Sequence, residues 1–181
     1  MQRKSSSYQV ALAGVVSAAC LALMLAGSLL SVFLYIVPAV AGFAIAVVSI
    51  EAQRRTAWLT YATVSVLGLL IVPEKEMMLL FVCLFGFYPL LLEHLSALRP
   101  KAFSYFCKLL LFNAIIITLY ACLLFVFKIP GTVNEFGSYS SVFTVGLLLM
   151  GNVTFVVYDI ALARCLRVYM HVRTRFVKRV H

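Results

Sequence analysis

The sequence predicts an all-α integral membrane protein, a single bundle of six transmembrane helices with both termini in the cytoplasm. Three observations predict this fold class. Hydrophobic residues make up 64% of the 181 residues and charged residues only 12%, whereas a soluble domain carries about 25% charged residues. Residues 5–50 contain no charged side chain. The lysines and arginines fall mainly at alternate connections between apolar segments. A chain this short cannot bury so much apolar surface in water.

The apolar segments are close to the length of about 20 residues that a helix needs to cross the hydrocarbon core. The predicted spans are approximately 8–29, 35–50, 56–72, 77–92, 103–127 and 139–162, within one membrane domain that covers residues 1–181. Pro38 fits the first turn of the second span, where no backbone donor is lost. Gly86 and Pro89 predict a kink in the fourth span.

The tail, residues 163–181, combines basic residues with an apolar series at three- and four-residue spacing. That series is Leu166, Tyr169, Val172, Phe176 and Val180. The pattern predicts a basic amphipathic helix that continues from the sixth span. Such a helix is expected either on anionic membrane lipid or against a cytoplasmic partner.

The distribution of basic residues predicts the orientation. Of the 15 lysines and arginines, all except Lys75 and Lys128 fall on one side of the predicted bundle. Short loops rich in Lys and Arg stay in the cytoplasm, so we expect a multi-pass protein of a bacterial cytoplasmic membrane. Because the basic residues are spread over every inner connection, a nucleic-acid partner is not expected.

Signals for catalysis are nearly absent. The sequence has no histidine pair on a helix, no Ser–His arrangement and no glycine-rich phosphate loop. The five cysteines are solitary in the sequence, so neither a metal pair nor a disulfide framework is predicted. We therefore expect a non-enzymatic protein with no cofactor and no metal site.

Polar residues inside the predicted spans each need a structural reason, because burying them in lipid is costly. Asn113 and Asn152 are expected at similar depth on the fifth and sixth spans, where they are predicted to hydrogen-bond to each other. Asp159 is expected near the cytoplasmic end of the sixth span, paired with Lys108 or Arg164. All three polar residues are thus assigned structural roles.

The outer side carries the candidate solute pocket. Glu74, Lys75 and Glu76 crowd the short connection between the third and fourth spans. One interpretation is that Glu76 complements the positive end of the fourth helix and that the other charges are solvated. The alternative is a small-molecule pocket, and residues predicted at similar depth complete it: Tyr35, Tyr120, Lys128, Tyr139 and Thr144.

The first span begins Tyr-Gln-Val-Ala-Leu-Ala-Gly at residues 8–14 and continues with small residues at four-residue spacing, which lie on one helical face. This small-residue stripe consists of Gly14, Ala18, Ala22 and Ala26. With six short spans and cytoplasmic ends, the chain resembles the substrate-binding S component of energy-coupling factor (ECF) transporters. It departs from the metal-transporting members of that family, because no histidine follows Met1.

The resemblance implies a partner surface and a solute site. In that family, a motif at the start of the first helix packs on the transmembrane T component. The residues of this chain that match the motif are Gly14 and Ala18, with Ala11 beside them. Ala22 and Ala26 are expected to pack within the bundle. The outer connections 28–34, 73–76 and 128–138 would form the substrate site.

The expected function is capture of a small solute, such as a vitamin or a precursor, for uptake driven by separate ATPase subunits. The alternative is a non-enzymatic inner-membrane scaffold that acts through protein contacts. A stand-alone secondary carrier is a weaker possibility, because no inverted repeat is evident.

Overall fold

The computed structural model describes residues 5–29, 34–97, 100–122 and 141–179, and the regular structure in these ranges is all helical. The elements are α1 (Ser6–Ser28), α2 (Ile36–Glu51), α3 (Arg54–Ile71), α4 (Lys75–Leu80), a π-helical segment (Phe81–Phe85), α5 (Tyr88–Ala97), α6 (Lys101–Cys122) and α7 (Ser141–Arg179). The all-helical prediction is confirmed for this part of the chain. Two compact units, Met1–Tyr120 and Ala121–His181, divide the chain.

Several helices fit a multi-pass membrane protein. Among the described residues, the segments that are long enough and apolar enough to cross a membrane are Ser6–Ser28, Lys75–Leu92, Lys101–Leu119 and Leu148–Arg175. Helix α2 is also apolar but has only 16 residues. The prediction of a membrane protein is confirmed at this level, whereas the six-span arrangement, its orientation and the single membrane domain stay predictions.

Helices α1, α2 and α3 pack against one another and form the core of the first unit. Ser5 caps α1, because its hydroxyl accepts a hydrogen bond from the backbone N–H of Tyr8 at 3.3 Å. The buried centre is apolar and contains Cys20, Met24, Ala41, Ile45, Val48, Ala57 and Val64. Near one end of the bundle, the Thr56 hydroxyl donates to the side-chain oxygen of Gln9 at 3.1 Å and links α3 to α1.

The fourth predicted span is interrupted in its middle. After α4, the chain forms the π segment, in which the Gly86 N–H donates to the Phe81 carbonyl at 2.7 Å. Pro89 has no N–H for the regular i→i−4 hydrogen bond to Phe85. The predicted kink thus takes the form of a π segment and a turn at Gly86 and Phe87.

The interrupted helix packs on α2 at very short range. A Cβ atom added to Gly42 would overlap the backbone carbonyl of Phe85. Two further bonds fix α5: the Arg54 guanidinium donates to the Leu90 carbonyl at 2.9 Å, and the Ser104 hydroxyl donates to the Leu95 carbonyl at 2.6 Å. The end of the π segment thus lies against α2, and the helix that follows it is tied to α3 and α6.

Helix α7 belongs to the second unit and is continuous over 39 residues. At 1.5 Å per residue such a helix is about 58 Å long, roughly twice the thickness of a hydrocarbon core. Its second half carries exposed basic residues, which include Arg164, Arg167 and Arg175. The helix therefore runs from the apolar segment into the basic residues without a break as far as Arg179, and the amphipathic cytoplasmic role of the tail stays a prediction.

Candidate functional site

The charged connection between α3 and α4 contains a bond that the sequence does not reveal. The Lys75 ammonium donates to the carbonyl of Leu69 and to that of Val72, both at 2.8 Å. The last carbonyls of a helix have no partner within the helix, and a cation is favourable at that end. Lys75 therefore caps the end of α3, and a role for it in solute binding stays a prediction.

The two acidic residues of this connection lie at the start of α4. Glu74 occupies the N-cap position without a side-chain capping bond, and Glu76 lies in the first turn. Both are partly buried. An acid in the first turn is favourable at the positive end of a helix, which agrees with the simpler of the two interpretations for Glu76. The solute-binding role of both residues stays a prediction.

The structure describes only some of the other predicted pocket residues. Tyr35 directly precedes α2 and is exposed. Tyr120 and Thr144 lie on α6 and α7, but their side chains are outside the described part of the chain. Lys128 and Tyr139, with the connection 128–138, also fall outside it, as do residues 30–33 of the connection 28–34. Within the described residues, Glu74, Lys75 and Glu76 are the members of the set that lie together.

The small-residue stripe on α1 points away from the helices of its own unit. Ala11, Gly14, Ala18, Ala22 and Ala26 are all exposed. A Cβ atom added to Gly14 would meet no described atom within 4 Å. Ala22 and Ala26 are thus not buried by the helices of the first unit, and their packing within a six-helix bundle stays a prediction.

A different face of α1 makes the internal contacts. Its buried residues are Ser17, Cys20, Met24 and Gly27, which recur at three- and four-residue spacing. The Cys20 thiol donates to the Ala41 carbonyl at 3.8 Å, and a Cβ atom at Gly27 would lie 2.7 Å from a methyl group of Val37. This face already supplies the close contacts with α2, and the small-residue stripe takes no part in them.

A cavity of about 300 Å³ lies beside the π segment and was not predicted. Its lining comes from α3, the π segment, the turn that follows it, and α6, and consists of Tyr61, Val82, Cys83, Phe87, Ala114, Ile115 and Thr118. Aromatic rings surround one side: Trp58 meets Tyr61 and Phe87 edge-on, with centroids 5.8 Å apart in both pairs. The only sequence signal was the density of aromatic residues over 58–61 and 81–87.

The hydroxyl groups in the cavity wall already donate to backbone carbonyls. The Tyr61 hydroxyl donates to Val82 at 2.7 Å, and the Thr118 hydroxyl donates to Ala114 at 2.8 Å. No lining residue carries a formal charge. The cavity is therefore suited to an apolar guest and poorly suited to a charged one.

The two asparagines predicted to be structural form hydrogen bonds within their own helices. The Asn113 amide donates to the Leu109 carbonyl and the Asn152 amide to the Leu148 carbonyl, each at 2.8 Å. Asp159 and Lys108 are both buried, and the Lys108 ammonium lies 5.6 Å from the centre of the Tyr105 ring. The bond between the two asparagines and the ion pair of Asp159 stay predictions.

Comparisons with known proteins gave no match. No protein-family model, no curated protein and no solved structure matches the chain.

Proposed function

We propose that the chain is a membrane-embedded substrate-capture subunit that docks through α1 on a transmembrane partner, in the manner of the S components that it resembles. In this proposal six helices cross the cytoplasmic membrane and both termini are cytoplasmic. The observation that carries the proposal is the exposure of the small-residue stripe on α1.

The stripe favours a helical partner for a physical reason. Helices associate in lipid mainly by close packing, and small side chains allow two backbones to approach. The contacts of α1 inside its own unit use the face of Ser17, Cys20, Met24 and Gly27. Gly14 and Ala18 lie outside this buried set and are exposed, which leaves a second surface of the kind on which helices pack.

The division of labour follows from the residues that the chain contains. It has no nucleotide-binding motif, so the proposal assigns ATP hydrolysis to separate ATPase subunits and the docking surface to a T component. Glu74 and Glu76, at the start of α4, would meet a small solute on the outer side. Membrane lipid surrounds the remaining apolar surface.

Co-isolation tests the docking. The chain is expressed with a T component and ATPases, and the purified complex is analysed for all subunits. Replacing Gly14 and Ala18 together with Leu is expected to abolish co-isolation and to leave folding intact, because both positions are exposed. Ala62→Leu is the matched control, since Ala62 is exposed on α3. Normal co-isolation of the double variant would overturn the docking assignment.

Solute capture needs its own measurement. Mass spectrometry of small molecules released from the purified protein, followed by binding assays over a panel of vitamins and precursors, identifies the solute. Glu74→Gln and Glu76→Gln are expected to weaken its binding. If the parent protein neither carries nor binds any solute of the panel, the capture function is rejected.

A specific observation favours the alternative, a non-enzymatic membrane scaffold. Lys75 is engaged at the end of α3, which removes one of three charged groups from the proposed solute site. A scaffold would use the same stripe on α1 and would need no solute. Loss of a partner in the Gly14 and Ala18 variant, without any solute in the parent, is the result expected for the scaffold.

A further inference from the structure

We propose that the cavity beside the π segment binds the hydrocarbon chain of a membrane lipid. This inference is independent of the proposed transport function, because it concerns neither the stripe on α1 nor the residues at the start of α4. It rests on the size of the cavity, on its chemistry and on the direction in which it opens.

The size fits part of a chain. Ligand pockets begin at about 300 Å³. The cavity has a volume of about 300 Å³. It is therefore large enough for a segment of several methylene groups.

The chemistry of the cavity wall also favours a hydrocarbon chain. The hydroxyl donors of Tyr61 and Thr118 are already used on the carbonyls of Val82 and Ala114. The remaining surface is formed by aliphatic and aromatic side chains and by the Cys83 thiol. An alkyl chain matches this surface without leaving polar groups unsatisfied.

The cavity opens where the bilayer supplies such chains. Ala114 and Thr118 line it and are also exposed on the surface of α6, within a segment apolar enough to cross a membrane. The neighbouring surface is therefore expected to lie in the hydrocarbon region, from which a chain enters sideways.

The π segment forms part of the cavity wall. The π segment adds a residue to its turn, and π segments occur frequently at functional sites. Next to it, the Tyr61 ring lies so close to Gly86 that an added Cβ would be 2.8 Å from two ring atoms. On the far wall, Ala114 contributes a small side chain from α6.

Quenching of tryptophan fluorescence tests the proposal on the full chain. Trp58 is the only tryptophan, and its ring contacts Tyr61 and Phe87, which line the cavity. The protein is reconstituted in phosphatidylcholine vesicles with either ordinary or dibrominated acyl chains. Brominated chains are expected to quench Trp58 strongly in the parent protein.

Two variants that fill the cavity separate a bound chain from lipid at the outer surface. Ala114→Phe, from α6, and Cys83→Phe, from the π segment, are each expected to lose most of the quenching. Val66→Phe is the matched control, because Val66 is 60% exposed on α3 and does not line the cavity, and it should be quenched like the parent. Thermal unfolding in detergent shows which variants are folded, and either folded variant is sufficient.

Three results would overturn the proposal. The first is equal quenching of the parent and of a folded cavity-filling variant, which would place the lipid only at the outer surface. The second is an absence of quenching in the parent. The third is quenching by a free brominated alkane added to ordinary vesicles, without quenching by the brominated phospholipid; the guest would then be a separate apolar solute.

Discussion

Gly42 of α2 lies directly against the backbone carbonyl of Phe85 in the π segment. The contact brings two backbones together at the point where the fourth predicted span is interrupted. Pro89, four residues after Phe85, cannot give that carbonyl the regular helical hydrogen bond. The absence of a side chain at Gly42 thus permits the irregular backbone to lie within the packed bundle.

Gly42→Ala is expected to destabilise the protein by about 1–3 kcal/mol, the usual effect of forcing extra atoms into a packed interior. Gly14→Ala is the control, because its added methyl group meets no described atom within 4 Å and Ala is favoured over Gly in a helix by about 1 kcal/mol. Unfolding of both variants in detergent measures the difference. Equal stability of the two would contradict the packing described at Gly42.

Lys75→Met is expected to reduce the free energy of unfolding by about 1–3 kcal/mol, because two charge-assisted hydrogen bonds to the end of α3 are lost. Lys101→Met, at the exposed start of α6, removes a lysine without such bonds and should change stability little. The measurement is equilibrium unfolding in mixed micelles. A Lys75→Met variant as stable as its control would show that the ammonium contributes nothing there.

Arg54→Gln is expected to destabilise the contact between α3 and α5 by about 1–3 kcal/mol, through loss of the bond to the Leu90 carbonyl. Arg55→Gln is a matched control, since Arg55 is the exposed neighbour and both changes remove one positive charge from the same connection. The measurement is the rate at which a protease cleaves the α5 backbone in the native form of each variant. Faster cleavage in Arg55→Gln than in Arg54→Gln is the contrary result.

Tyr61→Phe is expected to cost about 1 kcal/mol, because the Val82 carbonyl loses its donor while the ring contacts remain. Tyr105→Phe is the control: Tyr105 is 52% exposed, and a Phe ring still accepts the Lys108 cation. Hydrogen exchange of the amides over 81–87 should quicken in the first variant only. Unchanged exchange in Tyr61→Phe would mean that the hydroxyl does not stabilise the π segment.

Cys165 provides a test of the proposed orientation, because it is exposed on the basic half of α7. In a variant whose other cysteines are replaced by Ser, a membrane-impermeant maleimide should label Cys165 in inverted vesicles and not in intact cells. A cysteine introduced by Glu74→Cys in the same background should show the reverse. Labelling of Cys165 from outside intact cells would refute the cytoplasmic assignment of the C terminus.

The sequence predicted the helical character of the described residues for a simple reason. The bilayer demands long apolar segments whose backbone groups are paired internally, and hydropathy alone detects them. Helix α1 begins at Ser6, two residues from its predicted start, and the interruption predicted by Gly86 and Pro89 lies in the fourth predicted span. The candidate solute site was harder to predict, because its polar residues are few. Three of its predicted members lie on the connection 128–138 or after it, namely Lys128, Tyr139 and Thr144.

Two features required the structure. The role of Lys75 depends on where α3 ends, because its ammonium bonds the nearby carbonyls of Leu69 and Val72. The cavity depends on three elements meeting, with Tyr61, Cys83 and Ala114 brought together from positions far apart in the sequence. The arrangement of the cavity does not follow from local spacing.

By itself, the sequence determined that this chain is helical, apolar and suited to a membrane, since these properties follow from composition and segment length. The tertiary structure decided which face of α1 is used for packing. Small residues occur on both faces of α1, and the helix is apolar all round. Hydropathy does not distinguish the two faces, because lipid and the protein interior are equally apolar. Only the positions of α2 and α3 show that Ser17, Cys20, Met24 and Gly27 are buried while Gly14 and Ala18 are exposed.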